Sequence, residues 1–382
     1  MSGQPVVDPD IRRAATLPAA FYHDAALHAR TVERVFAKSW QFAGDADTVK
    51  APGHVRPFTL MEGCLDEPLV LARGEDGALR CLSNVCTHRA ALVVEGEGHV
   101  RGLRCRYHGR RFGLDGCLVS MPEFEGVEGF PAARDDLPRL SLERFGPLLF
   151  TALDPAVSFA DWIGPVRQRV AWLPLDRLVF DPATSQDYLI EASWIAYCDN
   201  YLEEFHIPYV HGASLAALDY AAYRTERFAW GNLQYGFARN GEAGFAVPGD
   251  HPDAGQNVAA WYFWLFPNLM LNFYPWGLSM NVVVPLGPAR TRVSFRSYVL
   301  DPGSRGQGLG ADLHRVEMED EEVVESVQRG ARSRLYRRGR FSPRREVGTH
   351  HFHEMLANES HYQGPPDAAM GPSPTDDRPT AS

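Results

Sequence analysis

Four residues able to bind a soft metal stand close together in the first third of the chain. Cys86-Thr-His88 is followed, beyond Arg89 to Arg104, by Cys105-Arg-Tyr-His108-Gly109. Each segment offers one thiolate and one imidazole. Glycines at 96, 98, 102, 109, 113 and 116 mark turns around them, so two loops present the four ligands. Such a set suits tetrahedral zinc or an iron–sulfur cluster. Zinc motifs usually pair Cys with Cys before His with His, whereas here each loop carries one of each. That distribution is expected of a [2Fe–2S] cluster in which two cysteines hold one iron and two histidines the other. Replacing two thiolates by neutral imidazoles removes negative charge and makes the reduced state easier to reach.

A second group lies in Asp199-Asn-Tyr-Leu-Glu203-Glu-Phe-His206-Ile-Pro-Tyr-Val-His211. Glu203 and His206 are three apart and are expected to share a helix face. His206 and His211 are five apart, about 140° around an ideal helix. They converge only where the helix breaks, and Pro208 between them is the expected breaker. Two imidazoles meeting a distant carboxylate form a facial triad that leaves three adjacent iron positions open. Taken alone, the pair more often describes two hydrogen-bonded histidines near a helix end than two metal ligands.

Together the two groups resemble the α subunits of ring-hydroxylating Rieske oxygenases. Those proteins typically carry Cys-x-His-Arg-Gly and Cys-Pro-Tyr-His-Gly-Trp. Arg89, Tyr107, His108, Gly109 and Asp115-Gly116 match; Ala90, Arg106 and Arg110 depart, and the two arginines add charge beside the cluster. The resemblance covers most of residues 20 to 356 in motif order. It implies that Cys86, His88, Cys105 and His108 hold a [2Fe–2S] cluster and that His206 and His211 bind a mononuclear Fe(II). Glu203 becomes the carboxylate bridging His206 to a Rieske histidine. Glu at this place is closer to the branch that oxidises quaternary amines, such as carnitine and choline oxygenases. Glu317-Met-Glu-Asp320-Glu-Glu-Val-Val-Glu325-Ser-Val-Gln328-Arg-Gly330 resembles the family's Glu-Asp-x4-Glu-x-Val-Gln-x-Gly helix, which points to Asp320 as the third ligand. Glu317, Glu321 and Glu322 read as a solvated acidic face. The implied enzyme takes electrons from NAD(P)H through a separate reductase or ferredoxin. They pass by His108, Glu203 and His206 to the iron, where O2 is used to hydroxylate an aromatic or quaternary-amine small molecule. Ring hydroxylation and oxidative demethylation are both open. A homotrimer is implied, with one subunit's Rieske domain facing its neighbour's iron.

The elements that position these residues follow a change of texture along the chain. Residues 17–40 have helical spacing, with Phe21, Leu27, Val32, Val35 and Phe36 on the apolar side. Residues 41–155 alternate short β-leaning runs with Gly, Asp and Pro, as a small antiparallel domain does. A helix is expected near Trp162 to Trp172, and another over 194–211. Strand-like runs occur at 185–193, 259–266, 269–275, 278–286 and 291–300, and 312–338 reads as one long charged helix. The fold class is therefore α+β: a helical segment (1–40) packing on the catalytic domain, a Rieske β domain (41–155), and a catalytic domain (156–363). For the last the resemblance implies a helix-grip-like antiparallel sheet. The Pro-, Ser- and Asp-rich residues 364–382 read as a disordered tail.

Other signals are weaker. Cys64, Cys81, Cys117 and Cys198 read as buried small hydrophobes. His251-Pro-Asp253 is a His-x-Asp pair of the kind 2-oxoglutarate oxygenases use, and it is common by chance. His350, His351 and His353 are assigned no metal. Arg329, Arg332, Arg334, Arg337, Arg338 and Arg340 read as a solvated or subunit-contact face, with docking of an acidic electron carrier as the sharper reading. Aromatics crowd the catalytic half (Tyr201, Phe205, Tyr209, Trp261, Tyr262, Phe263, Trp264, Phe266, Phe273, Tyr274 and Trp276), and strand alternation sends about half inward. Such a pocket suits an aromatic ring or a quaternary ammonium held by cation–π contact.

Composition bounds the alternatives. The 382 residues hold 38 Lys+Arg against 48 Asp+Glu, a net charge of -10 that argues against nucleic-acid binding. No apolar run reaches a bilayer-spanning length, and the N-terminus lacks an apolar core after its first charges, so no membrane association and a cytoplasmic location are expected. Two other classes compete: a Rieske electron-transfer protein without the second iron, and a zinc-stapled binding protein. Neither accounts for the pattern of His206, His211 and Asp320.

Overall fold

A computed structural model describes residues 6–212, 214–239, 244–304 and 312–358 of the chain. The expected tail, 364–382, lies outside them. Between Gln41 and Ala152 the short runs build a seven-stranded sheet and a three-stranded one. The small sheet, formed by Leu103–Arg104, Arg111–Phe112 and Leu118–Ser120, carries one of the two Cys/His loops. The other loop follows the strand Leu79–Ser83. A separate apolar cluster, with Val70, Leu82, Phe112 and Leu137 beside Cys86 and Cys105, fills the space under both loops.

The second seven-stranded sheet is antiparallel throughout. Its spatial order is Val179–Ile190, Arg290–Val299, Gly277–Gly287, Leu269–Tyr274, Val258–Leu265, Gly231–Phe237 and Arg224–Phe228. Side chains alternate between faces, so register decides which residues meet. Gln234 pairs with Tyr262, Tyr262 with Asn272, and Asn281 with Phe295, which aligns these on one face. On the other face Trp261 packs against Phe245 and Trp172. The two large sheets are joined by buried polar contacts: Asn268 and Gln41 exchange amide hydrogen bonds, and Tyr298 Oη donates to Asp45 at 2.7 Å.

Six α-helices complete the described chain: α1 (Ala25–Arg34), α2 (Phe159–Arg169), α3 (Trp194–Tyr201), α4 (Ile207–Val210), α5 (Leu313–Ala331) and α6 (Val347–Ala357). Four of them, α1, α3, α4 and α5, differ from the sequence expectation. No residue of α1 itself is buried; the segment is anchored instead by its flanks, Tyr22, Val35 and Phe36. The expected 194–211 helix is two helices separated at Leu202–His206. The expected 312–338 helix ends at Ala331, after Gly330. Of the arginines beyond it, Arg338 and Arg340 turn back and donate to the carbonyls of Thr16 and Ala14, clamping the N-terminal segment.

Candidate active site

The two Cys/His loops fold alike. The Cys86 N–H donates to the Ala91 carbonyl at 2.8 Å and the Ala90 N–H to the Cys86 carbonyl at 2.9 Å. In the second loop the Cys105 N–H donates to the Arg110 carbonyl at 2.9 Å and the Gly109 N–H to the Cys105 carbonyl at 3.1 Å. Ala90 and Gly109, at the same place in each turn, both take positive φ, 56° and 75°. The repeated turn brings the Nδ1 atoms of His88 and His108 to 3.2 Å. Cys86 and Cys105 are buried; burial pushes the Cys86 thiol up, and the adjacent Cys105 sulfur adds to this. Burial and the facing His108 lower His88. Two imidazole nitrogens aimed at each other above two buried sulfurs fit a two-Cys, two-His [2Fe–2S] cluster.

The charge expected beside this cluster is largely offset. Arg110 is only 2% exposed and pairs with Asp135 at 2.9 Å, between the Phe112 and Phe130 rings. Arg106 is exposed and pairs with Glu95.

The second group is assembled by the interruption between α3 and α4. Glu203 sits in that interruption, not on a helix face, and the break precedes His206. Pro208 occupies the first turn of α4, where a missing N–H costs nothing. His206 and His211 cap the two ends of this one-turn helix, with ring centroids 5.1 Å apart. The interruption is held from outside: buried Glu204 pairs with Arg345 at 2.8 Å, and α6 approaches so closely that a Cβ on Gly348 would collide with the Leu202 carbonyl.

α5 supplies the third member. Asp320 Oδ1 lies 2.9 Å from His211 Nε2 and 3.6 Å from His206 Nε2. One ligand atom from each of His206, His211 and Asp320 falls within 4.8 Å of the others. The outer nitrogens are each held by a carboxylate: His206 Nδ1 lies 2.6 Å from Glu203 Oε1, and His211 Nδ1 lies 2.8 Å from Glu319 Oε2. These contacts hold the protons on Nδ1 and leave both Nε2 atoms free toward Asp320, the second-layer arrangement of metal-bound histidines. Burial alone would lower His211, but Asp320 and Glu319 together raise it. The donor set fits a non-heme Fe(II) with an open face.

That face opens on a cavity of about 180 Å³, comparable to the ~150 Å³ that holds a benzene ring. Tyr201, Tyr262 and Tyr274 line it, as the aromatic crowding allowed; Phe205 and Tyr209 are exposed instead. Sequence reasoning missed Tyr197, Tyr223 and Phe295 in the wall, and the Glu319 contact. It also placed Glu317 on the solvated face. Glu317 is 3% exposed, lines the cavity, and accepts a hydrogen bond from Tyr197 Oη at 2.9 Å. Burial first, then the Asp320 charge, push its carboxyl well above the usual range. Helix phase was the available signal: an inward Asp320 brings the residue three before it inward too.

The remaining candidates resolve as structural. His251 Nε2 donates to the Arg169 carbonyl at 2.7 Å, and buried Asp253 pairs with Arg169 and accepts from Trp261 Nε1, so this pair is a packing cluster. His353 Nε2 donates to Asp199 and His350 Nε2 to the Asp8 carbonyl. Cys81 and Cys198 are buried, but Cys64 and Cys117 are only partly so, and Cys117 Sγ receives an Arg139 N–H. Among the described residues no helix is long and apolar enough to cross a membrane.

A family model described as the Rieske [2Fe–2S] domain matches residues 39–131, and one described as the ring hydroxylating alpha subunit (catalytic domain) matches 175–359. The chloroplastic choline monooxygenase of Arabidopsis thaliana is 32% identical over 371 residues, spanning 91% of this chain and 84% of its own. The carnitine monooxygenase oxygenase subunit of Escherichia coli (strain K12) is 31% identical and spans 91% of this chain and 94% of its own. A crystal structure of a quaternary ammonium Rieske monooxygenase in complex with an inhibitor aligns with a TM-score of 0.72 at 25% identity, over 93% of this chain and 97% of that one. Naphthalene 1,2-dioxygenase from Rhodococcus sp. shares the fold, at a TM-score of 0.67 and 19% identity over 91% and 94% of the two chains. The catalytic-domain match sets aside the reading as an electron carrier alone.

Proposed function

The chain belongs to the α subunits of the ring-hydroxylating Rieske non-heme iron oxygenases, and from that premise we propose that it oxidises a small quaternary ammonium compound. Enzymes of this family carry a Rieske [2Fe–2S] cluster and a mononuclear iron and take electrons from a separate reductase. In our reading Cys86, His88, Cys105 and His108 hold the cluster, and His206, His211 and Asp320 hold the iron. Bound there, the two centres supply electron storage and the activation of O2.

The chain's own groups do the rest. Glu203 and Glu319 fix the tautomers of His206 and His211 by holding their Nδ1 protons. Tyr201 is pinned by donating to Asn272 Oδ1 at 2.6 Å, and Tyr262 and Tyr274 pack edge to face beside it. These rings exclude water and offer π faces to a cation that cannot donate a hydrogen bond. The observation that carries the substrate class is this tyrosine wall facing the triad, in a cavity whose described lining includes no Lys or Arg. The choline and carnitine monooxygenases among the relatives agree with it.

Glu203 also serves, in this reading, as the link from His206 to a Rieske histidine of a neighbouring copy. Phe205 and Tyr209 stand exposed beside it, Tyr209 at 80%, and Tyr107 stands exposed beside His108. Two exposed aromatic patches next to the two ends of the link are what docking of one subunit's Rieske domain on the next needs. We therefore propose the homotrimer, closed by that contact.

The test is iron, sulfide and zinc content of anaerobically purified protein, followed by turnover of choline and carnitine against aromatic acids with a Rieske reductase. About three iron per two sulfide is expected, with oxidation of the amines. Zinc without sulfide refutes both sites, and hydroxylation of aromatic acids alone refutes the substrate class.

A further inference from the structure

Two surface patches of opposite charge stand unpaired, one beside the cluster histidines and one beside Glu203. The first is the loop 121–130, which holds Glu123, Glu125 and Glu128 and no Lys or Arg. It lies against both cluster turns. Phe124 packs edge to face on His88 with ring centroids 5.4 Å apart, and a Cβ on Gly109 would sit 3.6 Å from Pro122 Cγ. The three glutamates are exposed, and none has a side-chain hydrogen bond or ion pair among the described residues. Val127, between them, is 46% exposed. The second patch closes α5 and follows it. Residues 329–338 hold five arginines and no Asp or Glu. Arg338 is engaged by the N-terminal carbonyls, but Arg329, Arg332, Arg334 and Arg337 are exposed and have no side-chain partner among the described residues. Leu335, in their midst, is 94% exposed. Val327 and Tyr336, on either side of Arg329 and Arg332, line a cavity of about 570 Å³ that also takes in Glu203 and His206.

We propose that the two patches are the halves of one intersubunit contact: the acidic loop 121–130 of one copy seats on the arginine segment 329–337 of the next, and so brings His108 of the first to Glu203 of the second. The inference rests on the homotrimer reading and adds the surface that orients the assembly. A single exposed apolar residue is ordinary. A leucine among unpaired arginines beside Glu203, and a valine among unpaired glutamates beside His88, make two apolar centres with complementary charged rims, the usual anatomy of a contact. Two copies that each carry a net charge of -10 repel at long range. Local complementarity therefore has to select the faces on which they meet. Each copy offers one patch of each sign, so the contact is head to tail and closes into a ring. A separate reductase suits the arginine segment less well, because it must deliver to the cluster, whereas these arginines border Glu203 and His206.

The experiment is sedimentation velocity of the cluster-loaded full chain over a dilution series, with visible absorption of the cluster reporting that each variant is folded. Wild type is expected to sediment as a trimer. One variant combines Arg332→Glu, Arg334→Glu and Arg337→Glu, and another combines Glu123→Arg, Glu125→Arg and Glu128→Arg. Each is expected to raise the dissociation constant of the assembly about tenfold or more, since like charges then face each other. The chain carrying all six changes restores opposite signs and is expected to return to within about threefold of wild type. Arg332→Gln, Arg334→Gln and Arg337→Gln together are expected to weaken assembly by less than the reversal, and cover the case in which a reversed chain does not fold. Unchanged assembly in both reversals or in the Gln variant overturns the inference, as does a six-fold variant that stays as weak as either reversal. A wild type that is monomeric throughout the series overturns the homotrimer reading itself and the inference with it, and that result appears before any substitution is made.

Discussion

Glu319→Ala is expected to weaken iron binding without touching a proposed ligand. In the variant the His211 Nδ1–H loses its acceptor, now at 2.8 Å. His211 is buried, so solvent does not readily replace it. A hydrogen bond to a charged group contributes about 1.5–3 kcal/mol, and each 1.4 kcal/mol or so is a factor of ten in affinity. The expected loss is therefore about ten- to a hundred-fold, the usual range for the outer partner of a metal-bound histidine. The Arg315 contact to Glu319, at 3.1 Å, is lost too, but that arginine is exposed and contributes under about 1 kcal/mol. Glu319→Gln keeps a carbonyl acceptor and loses only the charge, so its drop is expected to be smaller. The assay is anaerobic Fe(II) titration of protein stripped of its mononuclear ion, with cluster content followed by visible absorption. Cluster content is expected to stay at the wild-type level. Iron affinity within twofold of wild type in a folded Glu319→Ala protein refutes the reasoning, and so does a parallel loss of the cluster.

Three further outcomes follow from particular contacts. Ala90→Gly relieves a left-handed alanine, φ 56°, at the turn where Gly109 serves the other loop; a gain of about 1 kcal/mol is expected in urea unfolding, and any loss contradicts it. Arg110→Leu strands Asp135 and empties the space between Phe112 and Phe130. It is expected to cost about 2–4 kcal/mol, and an unchanged denaturation midpoint would show the pair to be dispensable. Glu203→Ala removes the His206 Nδ1 partner and is expected to weaken iron binding as Glu319→Ala does while keeping the cluster. In protein reloaded with excess Fe(II), substrate-dependent reoxidation of the reduced cluster is expected to disappear in stopped-flow absorbance, and full turnover by that metal-replete protein removes the bridging role.

What the sequence made legible depended on how far apart the cooperating residues lie. Each Cys/His pair is local, and its ligand types are rare enough to stand out, so both loops could be read directly. The near-identity of the two turns could not, because it resides in backbone hydrogen bonds. His206 and His211 were legible as a pair, but for a reason that proved only half right. No break separates them: the helix is interrupted earlier, at Leu202–His206, and the two histidines meet as the caps of the single turn that follows, an interruption braced by Arg345 and Gly348, residues far along the chain. The hairpin Arg224–Phe237 escaped notice because its outer strand, Arg-Thr-Glu-Arg-Phe, carries the charges of a sheet edge and lacks a clear apolar period.

The acidic stretch of α5 shows where the limit lies. Composition treats Glu317, Glu319, Glu321 and Glu322 alike, and a solvated face describes such a run well. Function depends on helical phase, which composition does not contain. One fixed residue supplies it. Once Asp320 points inward, the residues buried with it are Glu317, Val324, Gln328 and Ala331, at helical spacings of three, four, four and three. Glu319, about 100° away around the axis, reaches His211 from the flank. Gln328 joins the Ser193 N–H to the Tyr22 carbonyl, and so locks this phase against α3 and the N-terminal segment. The same phase that delivers Asp320 to the histidines therefore delivers Glu317 to the cavity. A rotation of α5 that spared one would misplace the other, so the metal site and this part of the cavity wall are set by a single helix.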